Sequence, residues 1–294
     1  MLDLSKSCLI LDKPSGISSN NALKEVKKKL HQKKAGFSGT LDPLASGLLI
    51  IFFNKATKLC SLFLNANKNY EAIMKLGVTS TTADLDGEII KRSDIPDIAK
   101  KDLEKLEIKY TGKVNQVPPM YSALKYNGMR LYEYARKGIN IDRPSREINI
   151  FKIELILLDK NHISIKVKCS KGTYIRTLAE QIGNDIGCGA IVSELRRTKI
   201  NEIDLSKSIK LNDLLSSSEE DICKKYIVNA DVLLQDINSC YLSKSDTKEI
   251  VNGNKVKINE NPCEIVRIYD LDKKFIGIGK INDNFELLPN KIFV

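Results

Sequence analysis

Residues 36–49 read Gly-Phe-Ser-Gly-Thr-Leu-Asp-Pro-Leu-Ala-Ser-Gly-Leu-Leu and carry one carboxylate, Asp42, on a backbone with little freedom. Pro43 fixes its own φ and biases Asp42 toward an extended conformation. Gly36, Gly39 and Gly47 permit turns that a β-carbon would strain. A carboxylate presented this way can serve as a nucleophile or a general base. The same Asp-Pro pair can equally cap the start of a helix. Other candidate groups are few. The two histidines, His31 and His162, are not spaced as a ligand pair. The seven cysteines contain no Cys-x-x-Cys, so reduced thiols are expected rather than a zinc site or a disulfide framework. Carboxylates, tyrosines and arginines must therefore carry any chemistry.

The flanking elements say how such groups would be held. Leu48-Leu49-Ile50-Ile51-Phe52-Phe53 is an unbroken apolar run of strand length and must be buried. Residues 69–77 alternate, with Tyr70, Ala72, Met74 and Leu76 on one face, so Tyr70 points into the interior or into a cleft. Tyr174 and Arg176 fall where the alternating strand 163–169 gives way to a helix whose apolar stripe is Ile175, Leu178, Ala179, Ile182 and Ile186. An arginine there can cap a carboxylate structurally; paired with Asp42 it would keep that group ionised.

Elsewhere, Cys8–Asp12 reads as a short buried strand and Ser18, Ser19 and Asn20 as caps of a helix from about 21 to 30. Lys24, Lys27, Lys28 and Lys29 cover the outer side of that helix, with Lys33 and Lys34 just beyond it, and together they suggest a phosphate-binding rim. A moderately amphipathic helix is expected over 95–110, and 79–88 reads as a polar connection. Residues 112–146 interleave tyrosines with Arg130, Arg136, Lys137, Arg143 and Arg146, a pattern able to stack bases and neutralise phosphates. Residues 216–221 and 243–246 read as loops, and the last sixty or so residues carry compact strand signals at 255–258, 264–269, 275–281 and 291–294. The net charge of +10 favours a polyanionic partner, and no apolar run approaches the ~20 residues of a membrane span. Asp3, Lys6, Asp12 and Lys13 interrupt any apolar leader, so a cytoplasmic location is expected.

The chain closely resembles the bacterial tRNA pseudouridine-55 synthases, the TruB family. The resemblance runs through residues 11–16 (Leu-Asp-Lys-Pro-Ser-Gly), 39–47 (Gly-Thr-Leu-Asp-Pro-Leu-Ala-Ser-Gly), 119–125 (Pro-Met-Tyr-Ser-Ala-Leu-Lys), 131–136 (Leu-Tyr-Glu-Tyr-Ala-Arg), 170–177 (Ser-Lys-Gly-Thr-Tyr-Ile-Arg-Thr) and 195–197 (Leu-Arg-Arg). It implies an α+β fold with a mixed, mainly antiparallel central sheet and flanking helices. Residues 1–235 would form the catalytic domain, with 112–146 as an RNA-binding insertion, and 236–294 a small PUA-like β-barrel. It implies isomerisation of the T-loop uridine of tRNA, whose base is extruded into a pocket, with neither cofactor nor metal; nothing in the sequence demands more than a monomer. By the same resemblance, Asp42 matches the catalytic aspartate, Arg176 its arginine partner and Tyr70 the tyrosine that stacks on uracil and can assist proton removal. Tyr174 and Leu195 match pocket positions, and Lys13 lies in a motif near the site. Phe37 stands where many relatives have histidine; it keeps an aromatic wedge but loses its hydrogen bonds. Competing readings are a synthase for another RNA such as ribosomal RNA, a non-catalytic tRNA-binding chaperone, and, more weakly, a guide-dependent synthase.

Overall fold

The computed structural model describes residues 4–293; Asp3 and Val294, which entered the sequence reading, lie outside them. The chain starts with β1 (Ser7–Lys13) and α1 (Ser19–Lys29), the latter capped by the Ser18 hydroxyl, which accepts from the Asn21 N–H. Then come β2 (Ala35–Phe37), β3 (Ser46–Phe53), a 3-10 turn (Asn54–Leu59) continuing into α2 (Cys60–Leu64), β4 (Lys68–Leu76) and a ribbon of β5 (Val78–Ser80) and β6 (Ile89–Arg92). After these lie α3 (Lys100–Tyr110), β7 (Gly112–Gln116), the hairpin β8 (Lys125–Tyr126) and β9 (Met129–Arg130), α4 (Leu131–Ala135), β10 (Arg146–Asp159), β11 (His162–Cys169), α5 (Ile175–Ile186) and β12 (Ala190–Ile200). The tail of the first unit is β13 (Ile209–Lys210), α6 (Leu211–Ser216), α7 (Glu219–Lys225) and β14 (Ile227–Asn229). A second 3-10 turn (Ala230–Leu234) leads to β15 (Ser239–Leu242), α8 (Lys244–Val251), β16 (Val256–Lys257), β17 (Cys263–Asp270), β18 (Phe275–Ile281) and β19 (Glu286–Ile292).

The central sheet runs β13-β1-β3-β12-β4-β11-β10-β7, with β14 paired to β1 and β2 to β3. Only the β1–β13 and β3–β12 pairs are parallel, so the sheet is mixed and mainly antiparallel. The continuous apolar run of β3 is explained by burial on both faces. Leu49, Ile51 and Phe53 enter the main core with α1 and α5, whereas Leu48, Ile50 and Phe52 enter a second core with Phe275, Ile278 and Phe293 of the C-terminal unit. The five C-terminal strands follow the open path β15-β17-β18-β19-β16. They form a curled half-barrel, in keeping with the small C-terminal β-unit expected from the sequence.

Three local expectations change. The helix expected from 95 starts only at Lys100, because Pro96 drives Ile95 toward extended backbone. Its start is closed by Asp102, whose carboxylate accepts from the Ala99 N–H at 3.2 Å. The two serine- and aspartate-rich stretches read as loops are helix starts. Ser218 caps α7 by accepting from the Asp221 N–H, and Ser243 caps α8 by accepting from the Asp246 N–H, each at 3.1 Å. All seven cysteines are free thiols.

Candidate active site

No helix follows Asp42; residues 41–45 form an irregular turn into β3, which disposes of the helix-cap alternative. The turn is fastened on both flanks of the aspartate. Before it, the buried Ser19 hydroxyl donates to the Leu41 carbonyl at 2.9 Å and accepts from the Leu41 N–H at 2.8 Å. After it, the Pro43 carbonyl accepts from the Gly16 N–H at 2.8 Å and from Lys13 Nζ at 3.4 Å, while Ser15 donates to the Leu44 carbonyl at 2.6 Å. Gly47 closes the loop against β12, where an added β-carbon would collide with the Arg197 carbonyl. The buried Arg197 spans the loop, donating from Nε to the Leu48 carbonyl at 2.8 Å and from Nη2 to the Gly39 carbonyl at 3.0 Å. Rigid presentation of a single carboxylate is the result.

Arg176 meets that carboxylate from the first turn of α5. Its Nε donates to Asp42 Oδ2 at 2.8 Å, Nη1 to the Thr82 carbonyl at 2.7 Å and Nη2 to the Tyr121 carbonyl at 2.7 Å. A second carboxylate, Asp84, has its Oδ2 3.6 Å from the same Nε. Burial pushes the Asp84 carboxyl up, against the opposing pull of the Thr82 hydroxyl and the Arg176 guanidinium. Asp84 is delivered by a turn in which Ala83 takes a left-handed φ of 58°, a costly conformation for a residue with a β-carbon. The stretch read as a plain connection is therefore part of the site. Its only sequence signal was an aspartate in a threonine-rich turn.

Asp42 lines a cavity of about 630 Å3, within the range of small-molecule pockets. Tyr70, Tyr174, Arg176 and Leu195 line it as well, as do Pro118, Ser122, Ala123 and Leu124 from the 112–146 segment. Gln116 joins that segment to α5: its side chain accepts from the Tyr174 N–H at 2.8 Å and donates to the Tyr174 carbonyl at 3.1 Å. Five cationic residues (Lys68, Arg146, Lys171, Arg176 and Arg197) border the cavity against the carboxylates of Asp42 and Glu147, so its field favours an anion. Burial pushes the Tyr70 and Tyr174 phenols up; the charge on Arg197 opposes this at Tyr70, and the Ser122 hydroxyl opposes it at Tyr174.

Two expected site residues lie elsewhere. Lys13 is fully buried and its ammonium donates to the carbonyls of Pro14 and Ile17, both at 2.7 Å, besides Pro43. It fastens the Asp42 loop from behind and does not border the cavity. Phe37 pairs with Ile51 at the short edge strand β2 and packs half-buried on the main core, also outside the cavity. None of the six lysines clustered at 24–34 borders it either, and Lys29 is tied to the Leu215 carbonyl at 2.9 Å.

The structure matches a chain of a Cbf5–Nop10–Gar1 complex with a TM-score of 0.75 at 24% identity, covering 99% of this chain and 86% of that one. The sequence goes further. The pattern of the TruB family pseudouridylate synthase (N terminal domain) matches residues 27–175, and those of the tRNA pseudouridylate synthase B C-terminal domain and of pseudouridine synthase II TruB, C-terminal, match 176–240 and 239–293. The tRNA pseudouridine synthase B of Stutzerimonas stutzeri (strain A1501) is 41% identical, over 97% of this chain and 94% of that protein. That of Nitrosococcus oceani is 40% identical over 97% and 93%. The chain belongs to the TruB family of pseudouridylate synthases, and is thus an isomerase.

Proposed function

We propose that this protein converts the T-loop uridine of tRNA to pseudouridine in the Asp42 cavity. The observation that carries the reading is a partly exposed carboxylate, fixed by its loop, held at one oxygen by a buried guanidinium and facing a basic cavity of nucleoside scale. The reaction breaks the C1′–N1 bond, turns the uracil and forms C1′–C5; C5 loses its hydrogen as a proton and N1 takes one up, so the product is an isomer of the substrate. It adds and removes no electrons overall, so a nucleophile and a shaped, dry enclosure supply what it needs.

Asp42 is the nucleophile in this reading, and Arg176 pairs with one of its oxygens and aims it. Tyr70 stacks on the extruded uracil and can assist proton removal; burial pushes its phenol up. Tyr174 and Leu195 close the remaining walls. Extrusion costs unstacking, which the stacking and polar contacts offset. The T-arm is gripped along the 112–146 segment. There the Arg130 and Arg136 guanidiniums each lie over the Tyr132 ring, at 5.9 and 5.4 Å from its centroid, and Tyr126 meets Tyr134 edge-on at 6.1 Å. The protein works as a monomer, and the C-terminal unit from 236 onward is a PUA-like RNA-binding module.

The test is tritium release from unmodified tRNA labelled at uridine C5. The wild-type protein should release label from one T-loop position, and Asp42→Asn should lower the rate by about 10³-fold or more. Tight tRNA binding without release by the wild type would sink the enzymatic reading and leave a tRNA-binding protein.

A further inference from the structure

One wall of the cavity is made by Leu64 and Asn65, at the C-terminal end of α2. A five-residue helix has no stability of its own, so its place is set by what it packs on. Both ends of this segment are fastened, by different parts of the molecule. At the near end, the buried Lys68 ammonium of β4 donates to the carbonyls of Phe63, Leu64 and Ala66 at 3.1, 2.7 and 2.6 Å, closing off the helix terminus. At the far end the fastening comes from β19 in the C-terminal unit. Lys291 Nζ donates to the Lys58 carbonyl at 2.6 Å and to the Ser61 hydroxyl, and Lys58 Nζ donates back to the Ile292 carbonyl at 2.5 Å. Between these ends Leu59 and Phe63 share a core with Phe275 and Phe293. Leu64 itself is 54% exposed, a large apolar side chain left at the cavity mouth. Its Cδ1 sits 3.3 Å from the place a β-carbon on Gly39 would occupy, directly over the start of the Asp42 loop.

We propose that the C-terminal unit shapes the cavity wall through residues 58–66, with Lys291 as the positioning residue. The unit is then part of how the pocket is built, in addition to any contact it makes with RNA. The consequence for catalysis rests on the pseudouridine reading above, but the structural coupling does not. Because Lys291 touches neither the cavity nor Asp42, loosening it should weaken the fit of the extruded base and leave the chemical step alone.

The chain contains no tryptophan, so Leu64→Trp places a single fluorophore on the wall. In that background Lys291→Ala should red-shift the emission and raise iodide quenching about 2-fold, as expected when a locally held segment opens. Lys291→Arg, which retains a donor, should restore both, and Ser61→Ala should move them in the same direction by a smaller amount. Identical emission and quenching with and without Lys291→Ala, at unchanged global unfolding temperature, overturns the coupling. In the tritium assay, with Leu64 intact, Lys291→Ala should raise KM for a T-arm stem-loop about 3- to 5-fold, the scale of one net hydrogen bond, with little change in kcat. A fall in kcat at constant KM overturns the wall role. Should the wild type release no tritium at all, the functional reading fails while the fluorescence arm still decides the coupling.

Discussion

Two aspartate–arginine pairs sit on opposite faces of the central sheet. Asp12 and Arg196 meet fork to fork, with Nη1–Oδ1 and Nη2–Oδ2 at 3.0 and 2.8 Å, and both carboxylate oxygens are taken. Asp42 and Arg176 share one contact, Nε to Oδ2, and Oδ1 accepts no hydrogen bond from the described residues. The exposure is reversed as well. In the first pair the aspartate is the more buried partner, 13% against 38%; in the second the arginine is 3% exposed and the aspartate 35%. A bidentate pair saturates its carboxylate and fixes strands. A one-point pair with a buried guanidinium orients a carboxylate and leaves its second oxygen free of that partner. The chemistry follows from which partner is buried and from how many contacts are made.

The sharpest way to break this contrast is at Arg176. Arg176→Ala leaves Asp84 and the carbonyls of Thr82 and Tyr121 without their cation in a buried place, and should cost about 3–5 kcal/mol by denaturant titration, with activity lost. Arg176→Lys keeps the charge but cannot reach all of these partners; kcat should fall about 10- to 100-fold at near-normal tRNA affinity. Wild-type turnover in Arg176→Lys would show that the fork geometry is irrelevant. Next in size is Ser19→Ala, which strands the buried N–H and carbonyl of Leu41. It should destabilise by about 1–3 kcal/mol and lower kcat about 10-fold while KM holds, since it moves the proposed nucleophile and not the proposed grip on RNA.

A subtler separation uses pH. Burial lowers Lys13 and Lys68 from 10.5 to about 8, and each donates to three carbonyls as an ammonium. Between about 8 and 10.5 the unfolded chain binds more protons at these two positions than the folded one, so their contribution makes stability rise with pH there. Cys60, Cys169 and Cys240, pushed up by burial from 9.0 to about 11, 11 and 12, work the other way once unfolded thiols begin to ionise. Stability should therefore climb from pH 8 and turn over near 9. Activity should decline over the same interval, because a neutral amine donates two hydrogens and the Asp42 loop loses a fastening. Thermal unfolding and kcat/KM measured together between pH 7 and 10 would show the opposed trends; a flat activity profile through pH 8–9 would sink the loop-fastening role of Lys13.

How much of this the sequence discloses depends on the range over which the determining forces act. The Asp42 loop, the doubly buried β3 and the inward face carrying Tyr70 are written in local pattern: proline, glycine and apolar period. The meeting of Asp42 with Arg176, 134 positions away, is compatible with the sequence but not encoded in any stretch of it. Asp84 was unreadable because its delivery depends on one left-handed alanine and a bridge to Val192. Lys13 shows the opposite failure. Its place beside the loop is legible, yet the direction of its ammonium, inward to carbonyls rather than outward to substrate, is set by tertiary packing. The lysines at 24–34 look like a phosphate rim in sequence; four sit on α1 and two just beyond it, and none borders the Asp42 cavity. Ser243 and Ser218 were ambiguous because serine serves turns and helix caps through the same hydrogen bond.

The smallest expected effect completes the comparison. Arg196→Ala removes a guanidinium that is more than a third exposed, so the lost pairing with Asp12 is screened by solvent and should cost about 1 kcal/mol or less. Asp12 keeps its place in β1 through the β1–β3 ladder, in which it sits opposite Leu48. The neighbouring Arg197, whose side chain goes to the other face and fastens Gly39 and Leu48, is untouched. Tritium release should stay within about 2-fold of wild type, since no atom of the pair borders the Asp42 cavity except through the shared backbone of β12. A loss as large as that of Arg176→Lys would mean that the opposite face of the sheet transmits strain into the loop, and that the two pairs differ in exposure without differing in role.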